Sequence, residues 1–306
     1  MSAAQPPTRP AVPLSAGRLR AAAIVAGGLW TDIRVVEETG STNADVLGEA
    51  RRGAPEGLVL AAEAQTAGRG RLGRTWQSLP GAALTFSVLL RPTSVPQAGR
   101  GWVPLLAGVA VAGALRRAVG VDARLKWPND VLVADAKLAG ILAEQAGDAI
   151  AVGIGINVRG RPQDLPVATA TSLELHGAGE TDRTELLAAV LAELETWYRR
   201  WSRSGTQGTP AEAGAGGRAE AGTGGGGLAG GVRGDGGIGY RAAEASGLRS
   251  AYLRLSATVG QEVQVWLPGG RQLTGTACDV DGTGRLVLRS ATGLIAVSAG
   301  DVIHLR

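Results

Sequence analysis

Apolar and polar positions repeat with two different periods along this chain, and the places where the period changes mark its elements. GLVLAAEAQ (57–65) and AALTFSVLL (82–90) are short apolar runs ended by glycine, proline or polar residues, which predicts buried strands. KLAGILAEQ (137–145) and AIAVGIGINV (149–158) read as paired central strands, with shorter strands around ARLKW and DVLVA. Helical spacing appears in three longer stretches. STNADVLGEARRG (41–53) predicts a helix with Ser41 or Thr42 as N-cap and Gly53 at its C-terminal end. WVPLLAGVAVAGALRRAVG (102–120) is apolar on every side and predicts a largely buried helix, whereas RTELLAAVLAELETWYRRW (183–201) predicts an amphipathic one.

Beyond 204 the pattern breaks. Residues 205–247 hold 17 of the 48 glycines and almost no large apolar residue, so they cannot recover the entropy of ordering and read as a disordered insert. Order returns with LRSAYLRLS. VGQEVQVWL, RQLTGTACDV, GRLVLRS, GLIAVSA and DVIHLR, with turns at PGG and DGTG, then predict a small all-β barrel. At the other end, prolines 6, 7, 10 and 13 predict a disordered leader over 1–13, followed by a short helix over 14–30. The expected units are a leader with a short helix (1–30), a main body (31–204), the insert (205–247) and the barrel (248–306).

Composition narrows the classes. Cys278 is the only cysteine, which excludes an internal disulfide and a Cys-based zinc site and fits a reduced, cytoplasmic setting. The longest apolar run near the N-terminus, AAAIVAGGLW, is too short and glycine-rich to span a bilayer, and no signal-peptide cleavage pattern follows it. The net charge of +4 permits acidic partners without demanding them. How that charge is written is more informative: of 31 basic residues only Lys126 and Lys137 are lysines. A chain that otherwise uses arginine places a compact ammonium where a guanidinium does not substitute, or does so by chance.

GRGRLGRTW (68–76) fits G-x-G-x-x-G and, with Arg74 for lysine, nearly fits G-x-x-x-x-G-K-[ST]. Both phosphate loops require a helix next, and here Pro80 and Gly81 prevent one; the Rossmann pattern also wants an acidic residue where this chain has Arg91 and Pro92. What remains is a loop of alternating glycine and arginine, suited to a mobile flap over an anion or simply a solvated basic loop.

The neighbouring motifs change that balance. STN (41–43), EAQTAGRGRLGRTW (63–76), KWPND (126–130), KLAGIL (137–142) and GIGINV (153–158) resemble, in order and spacing, the biotin protein ligases. The resemblance covers about 35–200 and resumes in VGQEVQVWLPGG and VSAGDVIHLR. It implies an α+β fold, a class II aminoacyl-tRNA synthetase-like mixed sheet with helices mainly on one side, followed by an SH3-like barrel. It also implies an activity: ATP converts biotin to biotinyl-5′-AMP, and the biotinyl group passes to a lysine of a carrier domain of an acyl-CoA or pyruvate carboxylase. By the same resemblance Lys137, Lys126 and Arg69 are catalytic. Biotin is bound by Ser41, Thr42, Gln65, Gly68, Arg69, Arg71 and Lys137, and ATP by Arg69, Arg74, Trp76, Lys126, Asn129 and Asn157. Asp130 is the candidate for Mg²⁺, which takes carboxylate oxygen and keeps several waters, although Asp after Pro-Asn also forms turns.

The physical need for those cations is direct. Two unit anions about 4 Å apart repel by about 4 kcal/mol at an effective dielectric near 20, and a carboxylate must meet a phosphate in the first step. No protein nucleophile is needed, and neither His176 nor His304 forms part of a hydrolase triad. The stretch before the resemblance is too short for the winged helix of the repressor-type relatives, so a monofunctional enzyme is expected; a free sheet edge could support dimerisation, and a monomer or weak homodimer is expected. A lipoate-type ligase is the enzymatic alternative. A nucleic-acid-binding protein is the non-enzymatic one, disfavoured because aromatic residues, at 4%, form no stacking surface.

Overall fold

The computed structural model describes residues 11–165, 167–206 and 238–305. The chain forms α1 (Ala16–Ala23), β1 (Asp32–Thr39), α2 (Thr42–Arg51), β2 (Leu58–Gln65), β3 (Ala83–Leu90) and α3 (Val103–Ala114). β4 (Arg124–Lys126), β5 (Asp130–Val133), β6 (Ala136–Ala146), β7 (Ala149–Asn157) and α4 (Arg183–Thr206) complete the body. α5 (Ile238–Ala245) and α6 (Leu248–Leu255) follow, then β8 (Glu262–Trp266), β9 (Gln272–Val280), β10 (Leu286–Ser290), β11 (Gly293–Val297) and β12 (Asp301–His304).

The first seven strands make one sheet in the order β1-β2-β3-β7-β6-β5-β4, parallel between β1 and β2 and antiparallel elsewhere. Alternation along β3 explains its two faces. Leu84, Phe86 and Val88 join the main core with α1, α3, α4 and α6, while Thr85, Ser87 and Leu89 look the other way. Among the described helices only α2 covers that second face, through Val46 and Leu47 against Leu58, Leu60, Leu89 and Ala151. α2 shields only part of the face, and a cavity occupies the rest. Each large apolar side chain fully buried in the helical layer contributes about 1.5–3 kcal/mol. The helix Gln97–Val119, long and apolar enough to cross a membrane, is spent in this core.

Several expectations need correction. The helix expected over 14–30 ends at Ala23, before a turn at Gly27. The leader expected over 1–13 lies outside the described residues up to 10, but residues 11–13 are in place: the Val12 carbonyl accepts from Arg183. Leu14 then enters the core, its N–H donating to Glu63 at 2.5 Å. The insert expected over 205–247 falls mostly on 207–237, outside the described residues, yet its two ends are built into the body. Gly205 is buried at the end of α4, and α5 buries Ala242 and Ala243. Counting glycines over the whole stretch hides this short helix. α6, expected with the barrel, packs instead under the large sheet, where Tyr252 meets Trp102 edge-on at 6.0 Å between ring centroids.

The five C-terminal strands form an antiparallel sheet in the order β11-β10-β9-β8-β12. It is fixed to the body at Trp127, whose backbone N–H donates to Thr258 and whose indole N–H donates to the Gly284 carbonyl, both at 3.1 Å. Gly101 seals the joint: a Cβ there would stand 2.3 Å from the Thr283 carbonyl oxygen. This docking brings Trp266, Asp301, Val302 and Ile303 to the mouth of the cavity.

Candidate active site

The cavity, about 640 Å³, runs from the N-terminus of α2 across the open face of the sheet to the start of β12. Its first end is a closed set of hydrogen bonds. Ser41 caps α2, leaving Thr42 N–H to donate to Gln65 Oε1 at 2.8 Å. That bond orients the Gln65 amide so that its Nε2 points away from Thr42. Asn43 donates to the Leu142 carbonyl at 3.1 Å and to Glu144 at 2.8 Å, so its oxygen faces Ser87. The Ser87 hydroxyl is 2.7 Å from both Asn43 Oδ1 and Thr42 Oγ1; since the amide oxygen only accepts, Ser87 donates to it. Thr42, Asn43 and Ser87 are all buried. Two glycines make room: a Cβ on Gly153 would be 2.5 Å from Asn43 Oδ1, and one on Gly155 would be 2.4 Å from the Trp76 ring.

The middle of the cavity is set by strand register. Thr85 pairs with Gly155, Gly155 with Gly140, Gly140 with Asp130, and Asp130 with Lys126. Directly paired residues share a face, so these five form one row across the sheet. Lys137 would point into the core if β5 and β6 paired evenly, but the register shifts between Val131 and Leu132. Leu138 therefore enters the core and Lys137 faces the cavity, the re-aiming that a bulge performs beside a functional site. The hairpin joining these strands turns through Ala134 and Asp135 at φ 49° and 65°, without glycine.

Lys137 Nζ lies 2.6 Å from Asp130 Oδ1. Oδ1 is buried and receives no aligned hydrogen bond, so the contact is a charge pairing that leaves its lone pairs undirected. Burial pushes the Lys126 ammonium below its usual range; Asp130 opposes that shift, and Lys137 and Arg74 add to it. Burial likewise disfavours the charged form of Arg71, with Asp130 opposing. The region is short of negative charge, as a site awaiting an anion is.

The flap closes the far end. Arg69 is 4.0 Å from Glu144, Arg71 donates to Asn129 Oδ1 at 3.4 Å, and Arg74 pairs with Asp301. Trp76 lies over Gly140 and Gly155, its indole nitrogen buried without an acceptor.

The chain as a whole has known relatives. The profile of the Biotin/lipoate A/B protein ligase family matches residues 35–160, and that of the Biotin protein ligase C terminal domain matches 258–305. A biotin–[acetyl-CoA-carboxylase] ligase of Mycobacterium tuberculosis is 37% identical over 298 residues, 96% of this chain and 97% of that protein. The chain belongs to this ligase family. The bifunctional ligase/repressor BirA of Escherichia coli is 36% identical, over 58% of this chain and 56% of its own. Among solved structures, the biotin protein ligase of Aquifex aeolicus in complex with biotin and ATP superposes with a TM-score of 0.66 at 25% identity, covering 90% of this chain and all of that one.

In this ligase, most of the residues singled out from the sequence line one cavity: Ser41, Thr42, Gln65, Arg69, Arg71, Arg74, Trp76, Lys126, Asn129, Asp130, Lys137 and Asn157. Gly68 does not. It is buried in the flap stem, where a Cβ would be 2.5 Å from the Trp76 carbonyl oxygen, so it lets the stem close rather than touching the cavity. Asn129 is committed within the protein, donating to the Ile141 carbonyl at 2.9 Å while accepting from Arg71. Asn157 spends its N–H on the Thr171 carbonyl at 2.9 Å and keeps its oxygen. The sequence reading missed Asn43, Ser87 and Thr85. The first stood inside the quoted STN; the other two are ordinary strand residues until β3 is placed beside β7. Cys278 is half-buried on β9. His176 and His304 are engaged with Thr171 and Thr258, not with a nucleophile.

Proposed function

We infer that this chain activates biotin as biotinyl-5′-AMP with ATP, releasing pyrophosphate, and transfers the biotinyl group to a lysine of a carboxylase carrier domain. The observation that carries the reading is the order of chemistry along one cavity. A buried polar set at α2 suits the paired donors and acceptors of a ureido ring. A glycine floor follows, and then two lysines with a carboxylate where an acid and a phosphate would meet.

Lys137 is assigned to the carboxylate of biotin and the α-phosphate, and Lys126 and Arg74 to the nucleotide phosphates. Lys137 and Lys126 hold the two anions together, offsetting a repulsion of about 4 kcal/mol per charge pair at about 4 Å. Asp130 fits Mg²⁺, since one carboxylate with substrate phosphates and waters is the usual set for that ion, and its buried Oδ1 has no aligned donor. Bound there, Mg²⁺ would supply charge stabilisation on the phosphates. Among the described residues no cluster of three or more acidic, histidine or cysteine side chains stands elsewhere to hold a metal. In the second step the neutral amine of the acceptor lysine attacks the carbonyl of the mixed anhydride, AMP departs with the bonding pair, and the amine proton passes to solvent. Arg69 and Arg71 close the flap over the intermediate.

Biotin-dependent exchange of labelled pyrophosphate into ATP tests the first step, and labelled biotin incorporation into a carrier domain tests the second. Exchange supported by lipoate and not by biotin would overturn the assignment.

A further inference from the structure

The flap is a hairpin in its own right. Arg69 bridges to Thr75, Gly70 N–H donates to the Arg74 carbonyl at 2.7 Å, and Trp76 N–H donates to the Gly68 carbonyl at 2.9 Å. Leu72 and Gly73, at φ 55° and 74°, make the turn. These bonds give the hairpin its shape without deciding where it lies over the cavity. Its charged ties to the body are long: Arg69 is 4.0 Å from Glu144, and Arg71 is 3.4 Å from Asn129. The close contact is Arg74 with Asp301, and Asp301 belongs to the C-terminal sheet, at the first position of β12. Asp301 also lines the same cavity as Lys126, Asp130 and Lys137.

We propose that Asp301 is a positioning residue that latches the flap over the reaction intermediate through Arg74. This rests on the biotinyl-AMP reading. Before nucleotide binds, Arg74 has Asp301 as its partner; a triphosphate carries more negative charge and draws the guanidinium away. Once pyrophosphate leaves, the single phosphate of the adenylate no longer outcompetes the carboxylate, and the pair re-forms with the flap down. The exposure of the two side chains, 57% and 40%, suits this exchange. A solvated ion pair is weak enough to release Arg74 and sufficient to bias a hairpin with few other ties. The C-terminal sheet thereby acts on retention of the intermediate, apart from its packing against Trp127.

The test uses the full-length chain loaded with labelled biotin and ATP without carrier, following loss of biotinyl-AMP after an unlabelled chase. Asp301→Asn is expected to release the adenylate about two- to fivefold faster, the range of an exposed ion pair, with the KM for biotin and the Tm unchanged. Asp301→Glu should retain it like the parent. Raising ionic strength from about 0.05 to about 0.5 M should speed release from the parent more than from Asp301→Asn, because the variant lacks one of the screened pairs. Unchanged release in Asp301→Asn, or a salt response as large in that variant as in the parent, would overturn the latch while leaving the ligase reading intact. A parent protein that formed no biotinyl-AMP would overturn both.

Discussion

The two ends of the cavity are built by opposite means. At α2, short hydrogen bonds among buried Thr42, Asn43, Ser87 and half-buried Gln65 hold every group in place before any ligand arrives. At the flap, Arg69 and Arg74 are mostly exposed and rest on single acceptors from two different strands, Glu144 on β6 and Asp301 on β12. The difference follows from the ligands proposed for each end. A neutral ring is recognised by fixed dipoles, which lose specificity if they move. Phosphates change charge and number during the reaction, so the groups that meet them must change partners. Between the ends lies the row Lys126, Asp130, Gly140, Gly155 and Thr85, held by the sheet itself.

That contrast can be broken at graded cost. The largest effect is expected at the row: Lys137→Ala should lower pyrophosphate exchange by roughly 10³-fold, comparable to losing one donor to a developing charge, with little change in thermal stability. An activity within tenfold of the parent would remove Lys137 from its assigned place. Next comes the rigid end. Gly153→Ala puts a methyl against Asn43 and should raise the KM for biotin by about ten- to a hundredfold, in line with about 1–3 kcal/mol for overpacking, while the KM for ATP moves far less. Equal effects on both substrates would mean that the polar set is not a biotin subsite.

ATP binding should also depend on pH through Lys126. Lys126 has its proton weakened by burial in the free protein, and a bound phosphate would strengthen it again. ATP binding then takes up a proton in the window between the depressed and the restored pKa. Affinity should therefore fall as pH rises through the depressed value. Lys126→Arg stays charged throughout and should show a flat KM for ATP from neutral to mildly alkaline pH. Parallel pH profiles for the two proteins would contradict the assignment. The smallest effect belongs to the flap: Arg69→Ala should quicken loss of biotinyl-AMP by a few-fold and leave binding of free biotin nearly unchanged, as suits a side chain 61% exposed. Equal losses in both would argue against a flap role.

The legible parts of the molecule were those fixed by local pattern. Period and punctuation placed β2, β3, β6, β7, α2, α3, α4 and the five C-terminal strands within a few residues. β1 escaped because DIRVVEET is half-exposed at a sheet edge and lacks an apolar run, and α5 escaped because it is only eight residues long beside a glycine tract. In the cavity, residues inside contiguous motifs were visible, while Ser87 and Thr85 were not, since only pairing with β7 sets them against Gly153 and Gly155. Gly68 was visible but stands in the flap stem outside the cavity lining, and Asn129 was visible and lines the cavity with its amide bonded inside the protein. Motif membership marks a residue without distinguishing a ligand contact from the packing that supports it.

By itself, the sequence placed the candidate groups in motifs whose family resemblance implied the chemistry: two lysines in an arginine-rich chain, an arginine–glycine flap that no helix follows, and an Asp in KWPND. Those are choices of functional group, and they are written in residue identity. Tertiary structure decided which groups meet. The register shift in β5–β6 turned Lys137 out of the core, the antiparallel pairing lined five residues into one row, and docking of the C-terminal sheet on Trp127 brought Asp301 to Arg74 across 227 positions of chain. Such contacts join residues far apart in the chain, through backbone hydrogen bonds and buried area that no local run of side chains encodes.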